Sequence, residues 1–525
     1  MASSFELRPQ TDNQHWSFVE GPWKEVEEGI ITAPPDLGDE NLAIYCEHAF
    51  GDFEAEYEFR WDSVWTDAGF IFRGKDARHY YLVQFPVVGQ HYRAEHFWAA
   101  ISKVDGTGYI QALDTQLVHG VSSAPQVWHH ARIRVQGHEF RLWVDGRPFP
   151  VVTDDTFSES GYVGLYTQSC LGEGDRSSFR NVRITGQPAQ AVPWDAGPQP
   201  PHHYTVIDTV HGSGCKQIAR AANGDLIVGS TGHNLLRSSN NGRTWSSKPA
   251  QASESLTLVQ SDGNGNLMSF TIDHEAFALF RAVSTDDGHT WSDRQQVAHV
   301  QFGPDRPFKE LVPGTMIRLQ DGGLLWFCWA RTPHVRTILD GRAFNHGPVP
   351  YFINVCMRSD DDGVTWSDWV DLDGPPHNDF HWLYHKDHLS EITATQTQDG
   401  NVIALTRPNT SPFIWETWSK DGGRTWTPQA RGPFALYATG HAMCTTTSGY
   451  LLIGGRFPAL SVQVSRDHGM SWQRYQIDTG SWGNGSMIEV EPDVVLFIYG
   501  GKNHPQGLRQ QLLRVTEDNL EPIEI

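Results

Sequence analysis

Five octapeptides of one pattern recur in the second part of the chain: SSNNGRTW (238–245), STDDGHTW (284–291), SDDDGVTW (359–366), SKDGGRTW (419–426) and SRDHGMSW (465–472). Their starts lie 46, 75, 60 and 46 residues apart. The shared form is S-x-D-x-G-x-T-W, with Asn240 replacing Asp in the first copy and Ser471 replacing Thr in the last. Each copy reads as a tight turn. The Asp or Asn oxygen accepts main-chain N–H groups, the Gly takes a positive φ, and the Trp packs into a core. A turn repeated at such a period describes an array of small units that bury their faces against one another.

The rest of the composition agrees with an all-β chain. Among 525 residues there are 50 Gly and 30 Pro, which break the sequence into short segments. Aromatic residues make up 12% and charged residues 19%, so the chain can bury large cores and global disorder is excluded. The net charge of −22 argues against a nucleic-acid partner, which needs a basic face. No apolar run reaches 18 residues, so no membrane partner is expected. The N-terminus MASSFELRPQTDNQHW lacks a charged segment followed by an apolar one. A cytoplasmic protein is therefore expected, or a secreted one if a leader has been removed. The six cysteines are scattered without a CxxC pair and read as reduced, mostly buried thiols.

The pattern changes across GQPAQAVPWDAGPQPPHH, a Pro-rich stretch that reads as a semi-rigid linker over 187–202. Before it, FEAEYEFRW (53–61), AGFIFRG (68–74), HYYLVQFP (79–86), HHARIRVQG (129–137) and EFRLWVDG (139–146) alternate with period two, as half-buried strands do. Two stacked antiparallel sheets are expected over 1–186.

Both halves resemble known families. Over about residues 15–186 the pattern resembles the concanavalin-like (laminin-G-like) jelly-roll modules that accompany carbohydrate-active enzymes. Two readings of this module stand: a carbohydrate-binding module, or a structural appendage. The five turns are Asp boxes, and residues 204–525 resemble the sialidase superfamily. That resemblance implies a six-bladed β-propeller over 203–525, with four strands per blade. Six inner-strand segments begin near Cys215, Leu256, Pro313, Glu391, His441 and Gly485. The sixth blade has no box, and HYTVIDTV (203–210) is read as its outer strand. The boxes themselves are structural turns rather than an active site.

In a propeller, ligands meet the axial end where inner strands converge. Polar groups at that end are Lys216, Glu310, Glu391 with Arg407, His441 with Arg456, and Trp482 with Asn484. Sialidases hold the substrate carboxylate with three arginines, pair a tyrosine nucleophile with a glutamate, and use an aspartate as acid/base. Glu391 and Arg407 match the glutamate and the second arginine, and Arg456 the third. The first arginine falls at Lys216, within Cys215-Lys216-Gln217-Ile218. The tyrosine falls near Trp482–Gly485, where no Tyr stands, and the aspartate near His233, where no Asp stands. The resemblance thus carries over the cation cluster in altered form, but not the nucleophile or the acid.

The expected function is exo-acting hydrolysis of a terminal, acidic sugar from an oligo- or polysaccharide. Lys216, Arg407, Arg456, Trp482 and Asn484 bind. Glu391 is the principal catalytic carboxylate and Glu310 the second, with His441 and His233 as further catalytic candidates. A second reading is a propeller lyase, in which a cation neutralises a uronate and a His takes the C5 proton; His274, His381, His385 and His388 widen that choice. A third is a glycan-binding protein without activity. HNDFHWLYHKDHLSE (377–391) meets no standard ligand spacing, so neither metal nor cofactor is expected.

Overall fold

The computed structural model describes all residues except 1–2, 10–14, 20, 28, 34–39, 64, 89–95, 170–175, 191–193, 195–202, 210–213, 230–233, 250–257, 274–275, 277, 300–309, 333–335, 340–341, 346–350, 373–389, 408–412, 435, 437–439, 457–458, 480–482 and 502–506. Every regular element among the described residues is a β-strand. The chain divides into two compact units. The first comprises Met1–His202, Phe457–Ser461 and Gln473–Ser481, and the second comprises His203–Arg456, Val462–Trp472 and Trp482–Ile525.

The first unit is a two-layer sandwich. The 22-residue strand Glu40–Trp61 serves both layers. Its first part pairs with Trp16–Val19 and Gly161–Ser169, and its second part with His129–Gln136 and Ser177–Ala189. Trp65–Asp76, His79–Val88, His96–Asp105 and Ile110–His119 extend the first layer by antiparallel pairing. Strand alternation sends Phe70, Phe72, Tyr81, Val83 and Phe85 into the core against Tyr57, Phe59, Ile133 and Phe140. The opposite face of that layer is also buried. Leu42, Ile44, Ile71, Leu82 and Tyr166 cluster there beside Asp67, Gln84, Ser102 and Gln168. Gln473–Asp478 closes it: Tyr475 and Gln476 pair with Gln111 and Ile110, and Arg474 Nη2 donates to Gln84 Oε1 at 3.0 Å. The strand Ser177–Ala189 runs past residue 186, so the start of the linker expected at 187 is strand, and most of the remainder lies outside the described residues.

The second unit is a ring of small antiparallel sheets. The first sheet is built from Ala219–Arg220, Leu226–Gly229, Asn234–Ser238 and Ser246–Pro249. The second comprises Leu258–Ser261, Leu267–Asp273, Ala278–Ser284 and Gln295–His299. The third comprises Glu310–Arg318, Leu324–Thr332, Tyr351–Ser359 and Val370–Asp371, and the fourth Ile392–Gln396, Val402–Thr406, Trp415–Ser419 and Ala430–Arg431. The closing sheet contains Gly485–Glu491, Val494–Gly501 and Gly507–Val515. Its outer edge is shared: Thr205–Asp208 pairs with one half of Gly507–Val515 and Leu520–Ile523 with the other.

Four of the repeated octapeptides are the turns that follow the third strands of the first four sheets, and the fifth follows Leu460–Ser465. In all five, the Ser hydroxyl accepts the Gly N–H at 2.8–2.9 Å, and the Asp or Asn oxygen accepts the N–H four residues on at 2.8–2.9 Å. The box glycines have φ between 78° and 92°. They are glycines for a second reason: a Cβ at Gly242 would stand 2.7 Å from Leu496 of the closing sheet, and one at Gly288 2.9 Å from Ile227 of the first. Each box thus presses on the preceding sheet. The first box presses on the last sheet, which shuts the ring. Trp245 Nε1 donates to Gln510 Oε1, and Gln510 Nε2 to Gly242 O, both at 2.7 Å.

The expected six blades are corrected to five sheets that stand by themselves. Met443–Thr445 pairs with Leu451–Arg456 between the fourth and closing sheets, held by Thr395–Thr445 at 2.8 Å on one side and by Thr447 N donating to Glu489 Oε1 at 2.8 Å on the other. Among the described residues these strands make no separate four-stranded sheet, and Gln473–Asp478 belongs to the first unit. No helix among the described residues is long and apolar enough to cross a membrane.

Candidate functional site

In each sheet the inner strand starts where the second strand ends, at the edge away from the box turns. Lys216 N donates to Gly229 O at 2.7 Å, Glu310 pairs with Arg331, and Arg407 N donates to Glu391 O at 2.8 Å. Gly440–His441 runs parallel to the closing sheet, with Gly440 opposite Gly485 and His441 opposite Ser486. Arg456 ends the strand Leu451–Arg456 and is buried. By strand order and register, the main chains of Lys216, Glu310, Glu391, Arg407, His441, Arg456 and Asn484 therefore share one end of the ring.

Two groups of these are in direct contact. Arg407 Nη1 donates to Glu391 Oε1 at 2.9 Å, forming an ion pair. The side chains are 21% and 23% exposed, so the pair is partly open to solvent rather than sealed in a core. Glu391 Oε2 and Arg407 Nε are buried and have no hydrogen-bond partner among the described residues. Separately, Cys215 N donates to Asn484 O at 3.3 Å and Ile218 N to Ser486 Oγ at 3.0 Å, which sets Lys216 beside Asn484 and Gly440–His441.

Lys216 is half-buried, and burial pulls its ammonium below the usual lysine range, opposed by neighbouring Cys215. Among the described residues no carboxylate pairs with it. Burial pushes the Cys215 thiol up to about 12, which keeps it protonated and unsuited to attack. Among the described residues no group of three His, Cys, Asp or Glu is placed to hold a metal.

Several expected residues fall outside these contacts. His233, His274, His381, His385, His388 and Trp482 lie outside the described residues, as do the side chains of Glu310 and His441. Two residues that the sequence did not single out bear on the site. Buried Asn354 donates through Nδ2 to Ser390 O at 2.8 Å, directly before Glu391. Gln217, next to Lys216, bonds the main chain of Met316 in the third sheet at both its ends. Side-chain amides that bond a distant main chain leave no local signature.

Residues 257–491 match the BNR repeat-like domain family. Residues 6–185 match the 3-keto-alpha-glucoside-1,2-lyase-like domain family, a different description from the concanavalin-like one expected there. A sialidase of Paraclostridium sordellii is 25% identical over an alignment 289 residues long that covers 48% of this chain. The chain spans 65% of the length of that curated relative. Among solved structures, a Hadza microbial sialidase is similar at 14% identity and a TM-score of 0.43, over 90% of this chain and 95% of its own. An alpha-L-arabinofuranosidase of Fusarium graminearum is similar at 12% identity and a TM-score of 0.41, over 60% of this chain and 98% of its own.

Proposed function

We propose that the protein is an exo-acting glycoside hydrolase that removes a terminal, acidic sugar, with Glu391 as its principal catalytic carboxylate. One observation carries this reading. Arg407 holds one oxygen of Glu391 and leaves the other buried and without a partner among the described residues. A carboxylate that attacks an anomeric carbon, or activates water beside it, needs one oxygen fixed and one free. Glu310 is the second carboxylate in this account, since its strand opens at the same end of the ring. Lys216 and Arg456 supply the positive charge for the sugar's anion, while Trp482 and Asn484 border it. The sialidase of P. sordellii and the BNR repeat match support a glycan as substrate.

In the first unit, the buried polar face at Asp67, Gln84 and Gln168 favours a structural role over glycan capture.

Incubation with a panel of glycans tests the function. Hydrolysis releases a reducing sugar with no new ultraviolet absorbance. Release of an unsaturated uronate would establish the lyase reading instead, and binding without cleavage the non-enzymatic one.

A further inference from the structure

Lys216 is carried by an irregular segment. The strand of the first sheet begins only at Ala219, so no ladder of main-chain bonds fixes residues 216–218. Single bonds hold them instead. Lys216 N reaches Gly229 O, Cys215 N reaches Asn484 O, and Ile218 N reaches Ser486 Oγ. All three tie the segment to its own sheet or to the closing sheet.

Among the described residues, Gln217 is the one tie in another direction. Its Nε2 donates to Met316 O at 2.5 Å, and its Oε1 accepts from Met316 N at 3.0 Å. Met316 belongs to the third sheet, so the link passes over the second. The second sheet joins the same point: Gln260 Nε2 donates to Met316 O at 2.9 Å. The third sheet's inner strand is irregular between Pro313 and Met316, where the pairing register shifts. Such a shift leaves main-chain groups without a ladder partner, and the amide of Gln217 satisfies both groups of Met316.

We propose that Gln217 is a positioning residue: by clamping the main chain of Met316 it fixes the segment that presents Lys216 to the anion of the substrate. Glutamine suits this task because an amide offers one donor and one acceptor at fixed spacing, matching the N–H and C=O of one residue. The inference rests on the reading of Lys216 as an anion-binding group. The lowered ammonium of Lys216 agrees with a lysine kept out of bulk water, as the clamp requires.

Calorimetric binding to the intact chain tests it, with a glucuronate-terminated disaccharide and its neutral glucose counterpart as probes. Lys216→Ala is expected to weaken the acidic probe about ten-fold, the loss of one charge-assisted contact, and to spare the neutral one. Gln217→Ala is expected to weaken the acidic probe several-fold in the native background and to add nothing in the Lys216→Ala background. Gln217→Glu keeps the acceptor for Met316 N–H and should fall between. An equal loss in both backgrounds, or no loss in the native one, overturns the positioning role. If Lys216→Ala itself changes nothing, the anion-binding reading fails instead. A readout free of ligand is the NMR titration of the Lys216 side chain. Gln217→Ala should move its midpoint up toward that of an ordinary lysine, and an unmoved midpoint also overturns the proposal.

Discussion

Glu391 and Arg407 stand sixteen residues apart in sequence and 2.9 Å apart in space, and the bond between them divides the carboxylate into a held oxygen and one without a partner among the described residues. This changes what Arg407 does. The sequence reading makes it one arm of an anion clamp, yet its Nη1 is committed to Glu391. Arg407→Ala is therefore expected to lower kcat on neutral and acidic substrates alike, by about 10²-fold, since a misaligned catalytic group costs on that order. Steady-state kinetics on both substrate types check this. A rise in KM confined to acidic substrates, with kcat intact, would restore the simple clamp.

Closure of the ring depends on a glycine. Gly242 has a φ of 83° and no room for a Cβ beside Leu496. Gly242→Ala is expected to destabilise the second unit by about 2–4 kcal/mol, the sum of left-handed strain and overpacking. Denaturant unfolding of the variant measures it. A loss below half a kilocalorie would mean that the first and closing sheets are not pressed together there.

The box aspartates respond to acid. Burial is the largest single effect on Asp361 and raises its pKa, but the bonds from Thr365, Ser359 and Val364 together outweigh it and hold the carboxyl low. Asp421 and Asp467 behave alike. A folded pKa below the unfolded value means that this stabilisation is full above about pH 4 and is lost as pH falls through the folded values. Asp361→Ala should cost about 1–2 kcal/mol at neutral pH, as expected for lost turn hydrogen bonds. The difference from the parent should shrink in acid. A pH-independent difference would show that the charge of Asp361 contributes nothing.

Asp67 has the opposite sign. Burial pushes its carboxyl up to about 7, against the charge of Arg474 and the bonds from Gln84 and Phe85 N–H. The folded chain then holds this proton more tightly than the unfolded chain, so stability falls as pH rises from about 4 to about 7, by at most about 1.4 kcal/mol per pH unit. Asp67→Asn should flatten that segment of the profile. Denaturant midpoints between pH 4 and pH 8 check it, and identical slopes for both proteins would contradict it.

Much of this fold is legible in the sequence because its strongest signals are local. A box turn is made within eight residues, so the chemistry of Ser238, Asn240, Gly242 and Trp245 can be read from their spacing alone. The pairing of Glu391 with Arg407 is nearly as local, since the two flank one hairpin. What the sequence does not reveal depends on distant partners. Gln217 and Asn354 act on main chain in other sheets, and nothing in their neighbourhoods marks them. The blade count differs for the same reason: Gln473–Asp478 pairs with Ile110–His119 in the first unit, a partner far away in the sequence.

The most direct measurement is the turnover of Glu391→Gln on whichever glycan the parent cleaves. Glutamine keeps the shape and a carbonyl oxygen for Arg407 Nη1, and removes the charge that attacks or activates water. The account predicts that kcat falls about 10³-fold or more with binding of the glycan retained. A variant that turns over within a few-fold of the parent would remove Glu391 from the chemistry and the account with it.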